Sequence, residues 1–160
     1  MLTVQVVCIG TLKEKYWKEA LEEYLKRLKP FCRLEILELP EQRLQDRAGE
    51  AEIASVVEAE GKRLLAKIPA KAYLLPMCIE GKQMDSIGFS KLLEQAAVEG
   101  YSTVSFVIGG SYGLADAVKQ AGKQRLSMSK MTFPHQLARV MLLEQIYRAF
   151  MISSGSKYHK

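Results

Sequence analysis

The stretch TVSFVIGGSYGLADAVKQA, residues 103–121, carries most of the information about the fold. Its first part, Thr103–Ile108, has apolar residues on both faces of a strand, which is typical of a central strand covered on both sides. A glycine loop, Gly109–Gly113, follows directly, and a short helix is predicted near Ala115–Ala121. This order places backbone N–H groups at the carboxyl edge of a sheet, where nucleotide-like ligands bind.

The glycine loop does not match the standard nucleotide motifs. With Gly110 and Gly113 as the second and third glycines of G-x-G-x-x-G, the first place falls on Ile108, so the dinucleotide fingerprint is broken. Neither a P-loop nor a G-x-S-x-G elbow is present. The pattern alone therefore leaves two interpretations open: a ligand loop, or a tight turn that needs the positive φ glycine allows.

Strands and helices alternate along the rest of the chain. Further strands are predicted over residues 2–9, 33–39 and 72–79, with a short one near Arg125–Ser129. Helices are predicted over residues 15–29, along the apolar stripe from Ile53 to Ile68, over 87–98 with Ser86 as N-cap, and over 136–152. Pro76 is expected at a strand edge, bulge or end. The alternation predicts a single α/β domain, residues 1–160, built on a mainly parallel sheet flanked by helices.

Composition narrows the classes of function. The net charge is +5, but residues 123–160 hold seven Lys or Arg against the single Glu144, so the remainder is close to neutral. A basic end on a neutral body indicates either a polyanion-binding surface or a solubilising face. Two histidines and three scattered cysteines argue against a metal site or a disulfide framework. Without an apolar run long enough for a membrane span, we expect a cytoplasmic protein.

The last predicted helix is apolar around much of its circumference. Its apolar residues exceed what one core-facing stripe requires, which predicts a second buried face and a partner subunit. Ile146 and Phe150 are the positions expected on that outer face. The sequence therefore predicts a homodimer.

Three segments taken together point to a family: CIEGKQMDS, FVIGGSYGL and LSMSKMTFPHQLARVMLLEQIYRAFMISSGSKYHK. In order and spacing they resemble the small SPOUT methyltransferases that modify N3 of a pseudouridine in large-subunit ribosomal RNA. The resemblance covers nearly the whole chain. It implies an alpha-beta knot fold, in which the C-terminal segment threads a loop as a deep trefoil knot, and S-adenosylmethionine bound in the loops of the knot.

The resemblance also implies which residues hold the cofactor. The matching positions are Met77, the glycine-loop residues Gly109, Gly110 and Gly113, and the run Met128, Ser129, Lys130, Met131, Thr132 and Phe133. A side chain at Gly109 is expected to occupy the space where the backbone approaches the ligand. This sequence departs from the family at Cys78, where relatives tend to carry an acidic residue.

The C-terminal tail is expected on the RNA side. The resemblance makes Tyr158 and His159 part of the RNA-facing wall, with Arg139 bordering the site, and His159 is the candidate that assists loss of the imide proton. The resemblance places His135 at the border of the site as well, whereas its position just before a helix favours capping or packing. Arg148 either pairs with Glu144 or contacts a phosphate. Two other functions stay open: a non-catalytic ribosome-binding factor, and methylation of transfer RNA.

Overall fold

The computed structural model describes all 160 residues. The elements, named in chain order, are β1 (Thr3–Ile9), α1 (Lys15–Leu28), β2 (Arg33–Leu39), α2 (Glu50–Ala66), β3 (Tyr73–Lys82), α3 (Ser86–Val98), β4 (Thr103–Ile108), α4 (Asp116–Ala121) and α5 (His135–Ser153). The predicted strands and helices agree with these bounds to within a few residues, except for the short strand predicted near Arg125–Ser129. None of the helices is long and apolar enough to cross a bilayer.

The four strands form one sheet in the order β2-β1-β4-β3, and every neighbouring pair is parallel. The predicted parallel α/β sheet is thus confirmed. β1 and β4 lie in the interior, where their runs of Val, Ile and Phe are buried on both faces. β3 is an edge strand, so one of its sides has no neighbouring strand. Pro76 has no N–H to donate, and on that side no hydrogen bond between strands is lost.

Helices cover both faces of the sheet. On one face, Val4, Val6 and Phe106 pack with residues of α1, α3 and α5 in the larger core. On the other face, Val7 and Val107 pack against α2 and α4 in a smaller core. The carboxyl ends of the parallel strands consequently open at a single edge of a three-layer molecule.

The last helix is buried more deeply than a surface helix. α5 packs between α1 and α3, and each of its residues up to Ile152 is at least partly buried. The expectation that Ile146 lies on an outer face is wrong, because Ile146 is fully buried in the larger core. Phe150 is half-buried and stacks on Phe31 with ring centroids 6.0 Å apart. Much of the apolar excess is therefore used within one chain.

Two local predictions are corrected. The N-cap of α3 is Asp85, whose carboxylate accepts a 2.7 Å hydrogen bond from Gly88 N, while Ser86 is the first helical residue and donates to Gln145. The strand predicted near Arg125–Ser129 does not form. That segment instead runs beside β3, with isolated bridges from Leu126 to Met77 and to Lys82.

Candidate active site

A cavity of about 620 Å³ opens at the carboxyl edge of β3 and β4. Three separate segments line it: residues Met77–Glu80 of β3, the glycine loop with Gly109, and the segment between α4 and α5 with Met128 and Phe133. The pairing of β3 with β4 ends where Met77 lies beside Ile108, so the residues that follow these two reach the same place. The cavity is large enough for a ligand of nucleoside size.

The glycine loop is a tight turn as well as a cavity wall. Gly110 and Gly113 form an antiparallel bridge, Gly113 N donates to Gly110 O at 3.1 Å, and Gly113 has φ +85°. The tight turn expected from the sequence is confirmed, and the loop also lines the cavity. A Cβ on Gly109 would lie 2.6 Å from the carbonyl oxygen of Gly113. The expected reason for glycine there is corrected: a side chain would collide with the loop itself before it reached a ligand.

The loop that follows β2 clamps the glycine loop from outside. The Glu41 carboxylate accepts hydrogen bonds from Ser111 Oγ at 2.8 Å and from Ser111 N at 3.3 Å. Glu60, on α2, is almost completely buried behind Gly110, and burial together with the nearby Glu41 raises its pKa. These contacts fix the position of the loop relative to the sheet.

The segment before α5 offers unused hydrogen-bond donors. The backbone N–H groups of Met128, Thr132 and Phe133 have no backbone partner, whereas Met131 N donates to Ser129 Oγ at 3.0 Å. The side chains of Met128 and Phe133 line the same cavity and are half-buried. Apolar walls with free backbone donors suit a flat heteroaromatic ring with polar edges, such as adenine.

An ion pair that the sequence patterns did not indicate stands in the cavity wall. Lys119 of α4 pairs with Glu80 of β3, and this contact lowers the pKa of the Glu80 carboxyl. Cys78 lies in the same wall, where burial and then the Glu80 charge raise the pKa of its thiol. The two partners are 39 residues apart in the chain, and no short motif joins them.

His135 and Arg139 occupy the first turns of α5. His135 lines the cavity, but Arg139 does not: it is fully buried, and its guanidinium donates to Glu38 at 2.8 Å and to Gly10 O at 3.1 Å. Burial, followed by the charge of Arg139, lowers the pKa of His135. The structure thus places Arg139 behind the cavity wall, as a support for what faces the ligand.

The tail folds back on α5 instead of fraying. Tyr158 Oη donates to Glu144, and Arg148 binds both the Glu144 carboxylate at 2.9 Å and His159 Nδ1 at 3.1 Å. The open question about Arg148 is answered within this chain, since it pairs with Glu144. Tyr24 also donates to Glu144, at 2.6 Å. The tail is therefore a packed part of the molecule.

Tail and glycine loop border different cavities. His159 lines a second cavity of about 610 Å³ between α3 and α5, and Met77 and Met128 separate the two by lining both. Of the predicted cofactor residues, all line the first cavity except Lys130, which is exposed. None of the three predicted catalytic residues, Arg139, Tyr158 and His159, lines the first cavity of its own chain. Residues of that cavity that the sequence did not assign to the cofactor include Glu80, Ser111 and Lys119.

The chemistry available in the first cavity is binding and alignment. Within the chain there is no group of three or more side chains arranged to hold a metal ion. Apolar side chains, free backbone amides, the imidazole of His135 and the Glu80–Lys119 ion pair line the wall, a set that can hold reactants in position. Such a site fits a transfer between a bound cofactor and a second substrate.

The chain thus combines a parallel sheet, a glycine loop at its carboxyl edge and a cavity-lining segment just before the last helix. The chain belongs to the SPOUT methyltransferase family: the family described as "Predicted SPOUT methyltransferase" matches residues 2–159. The resemblance seen in the three sequence segments is thereby confirmed.

Individual relatives agree with this assignment. "Ribosomal RNA large subunit methyltransferase H" of Streptococcus thermophilus is 48% identical over 159 residues, which is 99% of this chain and 100% of the relative. The protein of the same name from Lactobacillus acidophilus is 47% identical over the same lengths. A solved structure, described as a probable methylase family protein from Haemophilus influenzae, superposes with a TM-score of 0.57 at 12% identity, covering 98% of this chain and 70% of that one. This last likeness concerns the fold alone.

Proposed function

We propose that this chain transfers the methyl group of S-adenosylmethionine to N3 of a pseudouridine in large-subunit ribosomal RNA. The observation that carries the proposal is the convergence of β3, the glycine loop and the 127–134 segment on one cavity. The family match and the names of the relatives give the reaction and the class of substrate. Ribosomes are the substrate's setting, so we place the protein in the cytoplasm.

The cavity fits the proposed cofactor. The free N–H groups of Met128, Thr132 and Phe133 are donors for the adenine edge, and Met77 and Phe133 provide the apolar walls. S-adenosylmethionine supplies an activated methyl group when it is bound. The residues of the chain hold that group in line with the incoming nitrogen, and such alignment lowers the barrier by several kcal/mol, on the order of 7–11 kcal/mol at most.

The RNA side of the reaction needs a second subunit in this proposal. Tyr158 and His159 are held on α5, beside the second cavity and outside the first. We propose that in a homodimer the tail of one subunit lies over the cofactor cavity of the other, where His159 assists loss of the imide proton. The half-buried apolar side chains of Val140 and Met141, which line the second cavity, are the surface for this association.

The proposal includes two further features that the resemblance implies. One is the trefoil knot, in which the segment leading to α5 passes through a loop of the chain. The other is that residues 1–160 act as a single domain. The close passage of residues 123–127 along β3, with Lys82 N donating to Arg125 O and Ser127 N to Lys82 O, supports the first of them.

Mass analysis of ribosomal RNA tests the function directly. RNA from cells lacking this protein should miss one methyl group on a large-subunit pseudouridine, and purified protein with S-adenosylmethionine should restore it on ribosomes or subunits. An unchanged modification pattern, or methyl transfer to free transfer RNA only, would contradict the proposal. Calorimetry with S-adenosylmethionine separates an enzyme from a ribosome-binding factor that has no cofactor.

A further inference from the structure

Two buried nitrogen atoms on α5 lack a hydrogen-bond partner, and they belong to neighbouring side chains. They are Nδ1 of His135 and Nε of Arg139, the only unsatisfied buried side-chain atoms of this kind in the chain. The residues are four positions apart, so their side chains share one face of the helix. Each buried polar atom without a partner carries an energetic cost, so a pair of them at a cavity wall calls for an explanation.

The surroundings of Arg139 hold its guanidinium in place. One terminal nitrogen donates to Glu38 at 2.8 Å and the other to the carbonyl oxygen of Gly10 at 3.1 Å. A guanidinium has donors only, and it stays charged. The remaining Nε–H has no hydrogen-bond partner, and His135 is close enough for the Arg139 charge to lower the pKa of its imidazole.

His135 is held just as closely. Gly10 has φ +95°, and a Cβ there would lie 3.0 Å from His135 Cε1, so the backbone of Gly10 packs against the edge of the ring. A proton on Nδ1 would face the Arg139 cation, whereas a lone pair on Nδ1 complements it. A neutral imidazole carries its proton on one of its two nitrogens. If Nδ1 acts as an acceptor, the proton is therefore on Nε2. Of the two ring nitrogens, only Nδ1 is buried and lacks a partner.

We propose that His135 is a cofactor-binding residue that presents a neutral Nε2–H donor to an acceptor oxygen of S-adenosylmethionine, with Arg139 and Glu38 as positioning residues behind it. The inference rests on the proposed function, and it gives a specific role to a residue that the resemblance placed only at the border of the site. The acceptor oxygen belongs either to the carboxylate of the methionine part or to a ribose hydroxyl.

Neutrality suits the ligand. Burial and Arg139 lower the pKa of His135, and the carboxylates of Glu41 and Glu14 oppose this by raising it. Glu38 also stands nearby, but its charge is matched by Arg139. At neutral pH the imidazole therefore donates a hydrogen bond without adding a positive charge next to the cationic sulfonium.

Nitrogen-15 NMR of the wild-type protein gives the first test. The chain has two histidines, His135 and His159, so each ring is assigned from a single His159→Gln variant. We expect the Nε2–H tautomer for His135 at pH 7.5, and a shift of its signals when S-adenosylmethionine is added. An Nδ1–H tautomer in the wild type overturns the proposal, whatever the variants do.

Calorimetry gives the second test, with a matched pair of variants. His135→Leu keeps similar bulk without a donor and should weaken S-adenosylmethionine binding roughly threefold to tenfold, the range for one lost hydrogen bond. His135→Gln, whose amide N–H lies near the position of Nε2, should recover most of that loss. Equal affinity of the Leu variant and the wild type overturns the inference, while a wild type that binds no cofactor overturns the proposed function instead.

A truncated ligand identifies the oxygen. Methylthioadenosine keeps the ribose but lacks the methionine carboxylate. A penalty from His135→Leu that disappears with this ligand assigns the carboxylate, and a penalty that persists assigns a ribose hydroxyl. Arg139→Lys tests the support: a lysine amine lacks the fixed fork of donors, so the tautomer preference of His135 should weaken and cofactor affinity should fall with it.

Discussion

Replacing Gly109 with alanine tests the link between the shape of the glycine loop and cofactor binding. The added Cβ would stand 2.6 Å from the Gly113 carbonyl oxygen and 3.0 Å from Leu114 Cδ2, where ordinary contact begins at 3.4 Å. The carbonyl belongs to the backbone and cannot rotate away, so the turn between Gly110 and Gly113 has to open. Overpacking of this kind costs about 1–3 kcal/mol of folding free energy. We expect a folded but less stable protein whose affinity for S-adenosylmethionine is at least about tenfold lower, equal to about 1.4 kcal/mol.

Variants at two further glycines show whether a loss of cofactor affinity comes from the collision or from backbone strain. Gly113 has φ +85° and no atom within 4 Å of the place that a Cβ would take, so Gly113→Ala introduces backbone strain of about 1–2 kcal/mol without a collision. Gly49 has an ordinary φ of −74° at the start of α2 and open space around it, so Gly49→Ala should leave cofactor binding unchanged. Urea denaturation measures the stability of each variant, and calorimetry measures its affinity. A folded Gly109→Ala protein that binds cofactor as tightly as Gly49→Ala would refute the role given to the loop.

Four other results are expected. Deleting Lys157–Lys160 removes the tail contacts to Glu144 and Arg148, so methyl transfer should fall strongly. Cofactor affinity, measured by calorimetry, should stay within about twofold of the wild type. Full activity of the truncated protein would show that the tail is dispensable. S-adenosylmethionine should slow alkylation of Cys78, which lines the first cavity. Mass spectrometry should find the buried Cys8 and Cys32 unreactive both with and without the cofactor. Equal alkylation rates of Cys78 with and without the cofactor would place the cofactor elsewhere. Met141 lies on the wall of the second cavity, and Met141→Glu should lower both the oligomer mass measured by light scattering and the methyl-transfer activity without unfolding the chain. A wild-type protein that is active as a monomer would contradict the proposed dimer. Burial raises the pKa of the Cys8 thiol to about 11 from 9.0, so between these pH values the native state keeps a proton that the unfolded state loses. The contribution of Cys8 to stability in urea should be constant below pH 9 and fall between pH 9 and 11, and Cys8→Ala should reduce the fall seen in that range.

Sequence patterns predicted the elements of this fold because its strands and helices are locally consistent. Thr103–Ile108 carries a continuous apolar run, and the structure buries it on both faces in the interior of the sheet. The periodicity of α5 was also sufficient to predict a helix. It was insufficient to show which partner covers each face, so Ile146 was placed outside although α1 and α3 enclose it. The periodicity of a sequence shows how much of a helix is apolar, but it does not show which element packs against each apolar face, because that depends on the tertiary structure.

The candidate site was likewise predicted only in part from the sequence. Family motifs predicted the residues of the first cavity because they lie in contiguous segments, such as Met128–Phe133. The Glu80–Lys119 pair and the support of His135 by Arg139 and Glu38 join residues from different elements, so no spacing in the sequence announces them. Lys130 shows the reverse case: it lies inside a motif, but its side chain is exposed and outside the cavity.

The position of β1 in the sheet sets the timing of folding during synthesis. Residues 3–8 have β2 on one side, but their other partner is 103–108, which is 100 residues later in the chain. A ribosome adding about 5–20 residues per second needs roughly 5–20 s to make the intervening hundred residues. Throughout that interval the newly made β1 keeps an open, apolar edge, which is the kind of surface that pairs with other nascent chains. Aggregation during overproduction should therefore depend on how fast the chain is translated between Gly10 and Ser102, and slow codons placed there should lower the soluble yield.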